Sequence, residues 1–141
     1  MIFGLTRSTT SADFARAALE GVAFQVADLI DAANADAAKP LQALRVDGGM
    51  ARNAWFLQCQ ADILGLPVLQ APHGESTALG AAFLAGLKAG LWKDVEALRQ
   101  LTQEAKRFEP KTADEIRQQR LAHWRKAVQA AIGFHKQLSR P

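Results

Sequence analysis

The most informative part of the chain is residues 44–53, Leu44-Arg45-Val46-Asp47-Gly48-Gly49-Met50-Ala51-Arg52-Asn53. Apolar residues alternate up to Asp47 and predict a short strand, the Gly-Gly pair forces a turn, and a helix follows. Glycine lets the backbone approach a ligand closely, and the N–H groups at a helix start attract phosphate. The pattern therefore indicates a nucleotide site, although neither the Gly-x-Gly-x-x-Gly fingerprint nor a P-loop is present. A strand-to-helix turn that needs glycine only for steric reasons fits the same residues.

The flanking sequence predicts an α/β protein in which short strands alternate with helices. Apolar residues at helical spacing predict helices over residues 13–33, 52–64, 77–89, 94–101 and 113–138. A second strand is predicted at Pro67–Leu69, and Thr10 or Ser11 is expected to cap the first helix. We expect the following side chains to be buried: Trp55, Phe56, Cys59 and Ile63 in the second helix, and Ile116, Leu121, Trp124, Val128 and Ile132 in the last one.

Composition places the chain among folded, helix-rich proteins. It has 141 residues, 49% of them apolar and 22% charged, and 28 are alanine. These fractions exclude a disordered or collagen-like chain and make a β-sandwich improbable. Two strands are few for a sheet, since typical sheets have about four to six. Either strands escape the sequence pattern, or the chain is part of a larger domain.

The lone Cys59 cannot form an internal disulfide, which favours a reducing compartment and hence the cytoplasm. No apolar run is long enough to cross a membrane, and no signal peptide is visible. The three histidines His73, His123 and His135 show no metal-ligand spacing, so no metal site is expected.

Positive charge is concentrated in the last third of the chain. Residues 1–98 carry 7 Lys and Arg against 10 Asp and Glu, whereas residues 99–141 carry 10 against 4. These cations flank an apolar stripe, which is the pattern of a solvated helix surface, so no nucleic-acid partner is expected.

Several segments of the chain match a known family in order. Gly4-Leu5-Thr6-Arg7 and Asp13-Phe14-Ala15-Arg16-Ala17-Ala18-Leu19-Glu20 resemble the second signature of the FGGY carbohydrate kinases. Within that family the chain is similar to the glycerol kinases in further segments: residues 44–49, 56–58, 60–65, 77–87 and 90–92, with His123-Trp124-Arg125-Lys126-Ala127-Val128 near the end. The resemblance covers nearly all 141 residues.

The resemblance implies a fold and a reaction. It implies a partial actin-like ATPase (ribonuclease H-like) domain, with residues 1–141 forming one unit in the C-terminal part of the second, nucleotide-binding domain. The implied reaction transfers the γ-phosphoryl group of ATP, with Mg²⁺, to glycerol, giving glycerol 3-phosphate. The catalytic base and the glycerol-binding residues of the family lie in an upstream part that is absent here. No catalytic residue and no metal ligand are therefore expected in this chain, and it is expected to be inactive alone.

The resemblance also assigns the site residues. Gly49 is expected to lie against ATP or ADP and Asn53 to contact its adenosine end, while Gly48 and Asp47 have weaker claims. Asp47 is better interpreted as a structural neighbour than as a base. Arg52 fits a solvated side chain better than a phosphate ligand, because a cation opposes the dipole at a helix start.

Several alternatives remain open at this stage. One is a fragment of another FGGY sugar kinase, such as a xylulose or gluconate kinase. Another is a non-catalytic module that docks onto an N-terminal kinase domain or onto a second copy. The stripe of small residues Gly80, Ala81, Ala82, Ala85 and Gly86 fits either a contact between domains or tight packing within one.

Overall fold

The computed structural model describes residues 1–72, 76–101 and 106–138. Five helices and three strands follow one another there, together with a short 3₁₀ helix at Gly49–Arg52. The elements are α1 (Ser11–Asp36), β1 (Leu44–Val46), α2 (Ala54–Leu64), β2 (Val68–Gln70), α3 (Ser76–Lys88), α4 (Val95–Leu101), β3 (Lys106–Phe108) and α5 (Asp114–Leu138). The α/β alternation predicted from the sequence is confirmed.

Helix α1 begins at a capping box. Thr10 accepts a hydrogen bond from the backbone N–H of Asp13, and the Asp13 carboxylate accepts one from the Thr10 N–H at 2.8 Å. This satisfies two N–H groups that the first turn would otherwise leave without an acceptor. The buried residues of α1 are Ala23, Ala27 and Ile30. Helical spacing predicts an apolar stripe that includes Ala23 and Ile30, but Phe14 and Val22 of the same stripe are exposed.

The strands form one small mixed sheet in the order β1-β2-β3. Strands β1 and β2 are parallel, with Leu44 opposite Val68, and α2 is the crossover between them. Strand β3 pairs antiparallel with β2, with Phe108 opposite Val68. The sequence pattern misses β3 because only Phe108 of its three residues is apolar and buried.

Helix α2 supplies more of the buried core residues than any other element described. Phe56, Leu57, Cys59, Ala61 and Ile63 are buried in it, which confirms the expectation for Phe56, Cys59 and Ile63. The helix ends at Gly65, whose φ of 66° is the left-handed conformation that glycine adopts at helix ends. The expectation for Trp55 is wrong, because its side chain lies on the outer side of α2 and is 45% exposed.

Helix α5 packs on α1 through aromatic and polar contacts. The ring of Trp124 stacks on Phe24 at 5.3 Å, and its indole N–H donates to Asp28 at 2.7 Å. Leu121 is buried and Trp124 and Val128 are partly buried, as expected. Ile116 and Ile132 are exposed, which corrects the sequence expectation; the stripe of α5 is wider than the surface that α1 covers.

Candidate functional site

Residues 47–53, called the glycine turn below, connect β1 to α2. Gly48 has φ 92° and ψ −174°, a conformation that residues with a Cβ rarely adopt. Its carbonyl oxygen accepts a hydrogen bond from the Ala51 N–H at 3.1 Å, which closes the first turn of the 3₁₀ helix. The chain therefore reverses direction immediately after the strand, and the sequence prediction of a glycine-dependent turn is confirmed.

Gly49 lies on the outer surface of this turn. A Cβ built on it would meet no heavy atom of the described residues within 4 Å, so nothing in the fold of this region requires glycine there. Within the described part of the chain, the backbone N–H groups of Gly49 and Met50 donate to no acceptor. A ligand can therefore approach this backbone closely and receive two hydrogen bonds.

Asn53 is the N-cap of α2 rather than a residue of its first turn. Its side-chain oxygen accepts a hydrogen bond from the Phe56 N–H at 3.1 Å. Because that oxygen is already used, the exposed amide N–H₂ group is the part that can donate to a ligand. The side chain is held in place by its capping role, which reduces the entropy lost when it binds.

Asp47 connects two elements that are far apart in sequence. One carboxylate oxygen, Oδ1, accepts from the Gly48 N–H at 2.6 Å, and the other, Oδ2, accepts from the Ser76 N–H at 2.7 Å. The hydrogen bonds from Ser76, followed by the one from Gly48 and the charge of Arg52, lower the pKa of Asp47. This carboxylate is therefore ionised at neutral pH, and each of its two oxygens accepts a hydrogen bond from a backbone N–H.

Two larger side chains beside the glycine turn, those of Arg52 and Trp55, are exposed. Arg52 ends the 3₁₀ helix with an exposed side chain, in agreement with a solvated role. Trp55 and Asn53 line a shallow groove of about 290 Å³ together with Ala15, Arg16 and Leu19 of α1. The guanidinium of Arg16 lies 5.9 Å from the centre of the Trp55 ring, which is cation–π distance.

Cys59 is buried on α2, as predicted. Burial raises the pKa of its thiol, so the sulfur is held in the neutral form and is a poor nucleophile. The part of the chain that the structure describes holds no group of three or more His, Cys, Asp or Glu placed to bind a metal ion. Of the three histidines, His73 lies outside the described residues. No described helix is long and apolar enough to cross a membrane.

The small residues of α3 have different surroundings. Gly86 is buried beneath the ring of Trp92, so tight packing within this region explains it. Ala81, Ala82 and Ala85 are exposed, and Gly80 is partly buried. Only the last part of the stripe therefore has a packing role among the described residues.

Sequence comparisons place the chain beside a family of kinases. The model of the FGGY family of carbohydrate kinases, C-terminal domain, matches residues 1–89. The glycerol kinase of Streptococcus sanguinis is 47% identical over 133 residues, which are 94% of this chain and 26% of that enzyme. The glycerol kinase of Aromatoleum aromaticum is 50% identical over 133 residues, with 94% and 27% covered. The chain thus spans about a quarter of the length of the curated relatives it matches.

Solved structures give the same result. A crystal structure of Plasmodium falciparum glycerol kinase with ADP superposes with a TM-score of 0.83 and 35% identity, covering 92% of this chain and 26% of that one. The xylulose kinase from Rhodospirillum rubrum has a TM-score of 0.72 and 27% identity, with 98% and 28% covered. The described elements are therefore a partial actin-like ATPase domain, as the resemblance implies.

Proposed function

The chain belongs to the FGGY family of carbohydrate kinases, and from this premise we propose that it is the C-terminal, nucleotide-binding part of a glycerol kinase. The complete enzyme would phosphorylate glycerol with ATP to give glycerol 3-phosphate. Residues 1–141 would form one unit within the second domain and work in the cytoplasm. Among the solved structures, the glycerol kinase is 35% identical with a TM-score of 0.83 and the xylulose kinase 27% identical with a TM-score of 0.72. This difference favours glycerol over a sugar as the substrate of the whole protein.

The observation that carries the proposal is the geometry of the glycine turn. Gly49 has an open backbone, the N–H groups of Gly49 and Met50 donate to no acceptor among the described residues, and Asn53 offers a fixed amide donor. We propose that Gly49 lies against ATP or ADP and that Asn53 contacts the adenosine end. Gly48 and Asp47 would take part by shaping the turn. The residues present fit a nucleotide, and the phosphoryl group would come from ATP carrying Mg²⁺.

Substitution of Gly49 tests the nucleotide site directly. Gly49→Val places a branched side chain where the nucleotide would contact the backbone of residue 49. The described fold itself leaves room for the new Cβ. We expect ADP affinity, measured by NMR titration of this chain, to fall by about tenfold or more, which is about 1.4 kcal/mol. Gly80→Val on α3, another position with an open Cβ site, is the control and should leave ADP binding unchanged. Equal ADP affinity of Gly49→Val and the parent chain would show that the site is elsewhere.

Activity of the whole enzyme requires residues outside this chain. No carboxylate here matches the catalytic base that the family implies, and Asp47 is occupied by two backbone N–H groups. We expect the isolated chain to form no glycerol 3-phosphate from ATP and glycerol. Turnover by the isolated chain at the rate of a full-length glycerol kinase would contradict the proposal that the catalytic base lies outside this chain.

The free edge of the sheet favours docking onto the rest of such a kinase. The Leu44 N–H donates to the Pro67 carbonyl, and the Val46 carbonyl accepts from Ala71, so both residues face β2. Because polar backbone groups alternate along a strand, those of Arg45 point to the opposite edge, where no described strand pairs. We propose that this edge accepts a strand from the part of the kinase outside this chain, which is about three quarters of the length of its relatives.

A proline at position 45 tests this docking surface. Arg45→Pro removes one N–H from the free edge and leaves the hydrogen bonds between β1 and β2 in place. Co-expressed with the N-terminal three quarters of a related glycerol kinase, the parent chain and Arg45→Ala should co-purify with it and restore activity. Arg45→Pro should fail in both respects while keeping the circular dichroism spectrum of the parent. Co-purification of Arg45→Pro, or a dimer of this chain formed in preference to the complex, would contradict the proposal.

A further inference from the structure

The Asp47 side chain bonds both to the glycine turn and to a helix that is distant in sequence, which neither a turn nor a helix cap alone requires. Its carboxylate accepts one hydrogen bond from the N–H of Gly48, the next residue, at 2.6 Å. It accepts another from the N–H of Ser76, the first residue of α3, at 2.7 Å. The two N–H groups belong to elements 28 residues apart in sequence, and each takes a different oxygen. The side chain therefore fixes the glycine turn relative to the beginning of α3.

The bond to Gly48 controls the shape of the turn. Gly48 has φ 92°, and glycine can leave such a conformation easily because it has no Cβ. The Asp47 carboxylate holds the Gly48 N–H, and the Gly48 carbonyl in turn accepts from Ala51. With both sides of this residue held, the N–H groups of Gly49 and Met50 keep a fixed outward position.

The charge of Asp47 also affects which part of a ligand lies here. A carboxylate beside the glycine turn repels phosphate groups, and it already occupies the N–H of Ser76 at the beginning of α3. The uncharged nucleoside end of a nucleotide meets no such repulsion. This arrangement agrees with the adenosine contact proposed for Asn53.

We propose that Asp47 is a positioning residue for nucleotide binding, whose carboxylate joins Gly48 to Ser76 and so holds the glycine turn in the shape that receives the nucleoside. The inference rests on the proposed nucleotide site. Asp47 itself does not touch the ligand; it acts through the backbone of Gly48 and Gly49.

The test compares Asp47→Asn with a matched control. Asparagine keeps the size of the side chain but has one acceptor oxygen, so one of the two N–H groups loses its partner. Asp94→Asn is the control, because the Asp94 carboxylate also accepts from a backbone N–H, that of Ala97, but caps the distant helix α4. Asp94→Asn removes the same negative charge but keeps the oxygen that its single N–H partner needs. The difference in melting temperature between the two variants therefore measures the stability lost with the Asp47 hydrogen bond.

We expect Asp47→Asn to weaken ADP binding about fivefold or more at a temperature where both variants are folded, while Asp94→Asn binds ADP like the parent. Amide hydrogen exchange should become faster from Gly48 to Asn53 in Asp47→Asn and stay unchanged there in Asp94→Asn. Asp47→Glu, which keeps two acceptor oxygens, should recover part of the ADP affinity.

The possible negative results separate the positioning role of Asp47 from the nucleotide site itself. Equal ADP affinity of Asp47→Asn and Asp94→Asn overturns the positioning role while leaving the nucleotide site intact. If the parent chain binds no ADP, the proposed function of this chain alone fails, and hydrogen exchange then decides the positioning role. Faster exchange confined to Ser76 and α3 would show a helix cap only and would overturn the inference.

Discussion

Gly86 offers the sharpest test of the packing around α3. The chain reverses after α3 at Gly90, whose φ is 76°, and the ring of Trp92 returns over Gly86. A Cβ on Gly86 would lie 2.5 Å from Cε3 of Trp92 and closer still to Cζ3. The indole is rigid, half-buried and in edge contact with Phe83 at 5.5 Å, so Gly86→Ala must displace the whole ring.

The magnitude follows from three opposing effects. Overpacking costs about 1–3 kcal/mol, and loss of the aromatic contact adds about 0.5–1.5 kcal/mol. Replacing glycine by alanine within a helix returns about 1 kcal/mol. We therefore expect Gly86→Ala to lower the free energy of unfolding by about 1–3 kcal/mol, or Tm by about 4 °C for each kcal/mol.

Urea denaturation followed by tryptophan fluorescence measures this change. Gly80→Ala in the same helix is the control, because its Cβ meets no heavy atom of the described residues within 4 Å. The control should gain up to about 1 kcal/mol from helix propensity alone. Equal stability gains in Gly86→Ala and Gly80→Ala would refute the packing of Trp92 on Gly86.

Two further predictions concern groups whose pKa is shifted. The hydrogen bonds from Thr10 lower the pKa of Asp13 below 3.8, so its stabilising effect is complete above that pH and is lost as the pH falls through the lowered value. Asp13→Asn should therefore reduce stability in urea denaturation at pH 6 and much less at pH 2, and an equal reduction at both would contradict the capping box. The buried Cys59 should react with a thiol reagent at pH 8 far more slowly in the folded chain than in urea, because burial raises its pKa; equal rates would show that the thiol is exposed.

Local features of the fold were predictable from the sequence because they depend on neighbouring residues. The cap at Thr10 and the helix end at Gly65 follow from residues within one helical turn. The glycine turn was found in the same way, since a Gly-Gly pair between apolar runs is informative without any tertiary contact. The boundaries of α1, α2, α3, α4 and α5 lie within three residues of the predicted ones.

Other features could not be predicted because they depend on which elements meet. Helical spacing in α1 predicts a stripe through Phe14, Val22 and Ile30 with Ala23 beside it. Ala23 and Ile30 are buried, whereas Phe14 and Val22 are exposed, since α2 packs on the side of Ala23 and Ala27. Helical spacing predicts Trp55 inside, although it lies at the edge of the contact between α1 and α2, beside Arg16, and is 45% exposed. Strand β3 exists only because β2 offers it an edge, and its polar residues carry no strand pattern of their own.

For the candidate site, the local sequence pattern predicts the glycine turn, and the resemblance to the FGGY kinases implies Gly49 and Asn53 as its ligand-binding residues. The role of Asp47 came only from the tertiary structure. Its partner Ser76 is 29 residues away, and the two meet because the parallel pairing of β1 and β2 brings the segments that follow both strands to the same edge of the sheet. Hydrogen bonds within a turn follow from chain geometry, whereas a bond between distant residues requires the sheet that aligns them.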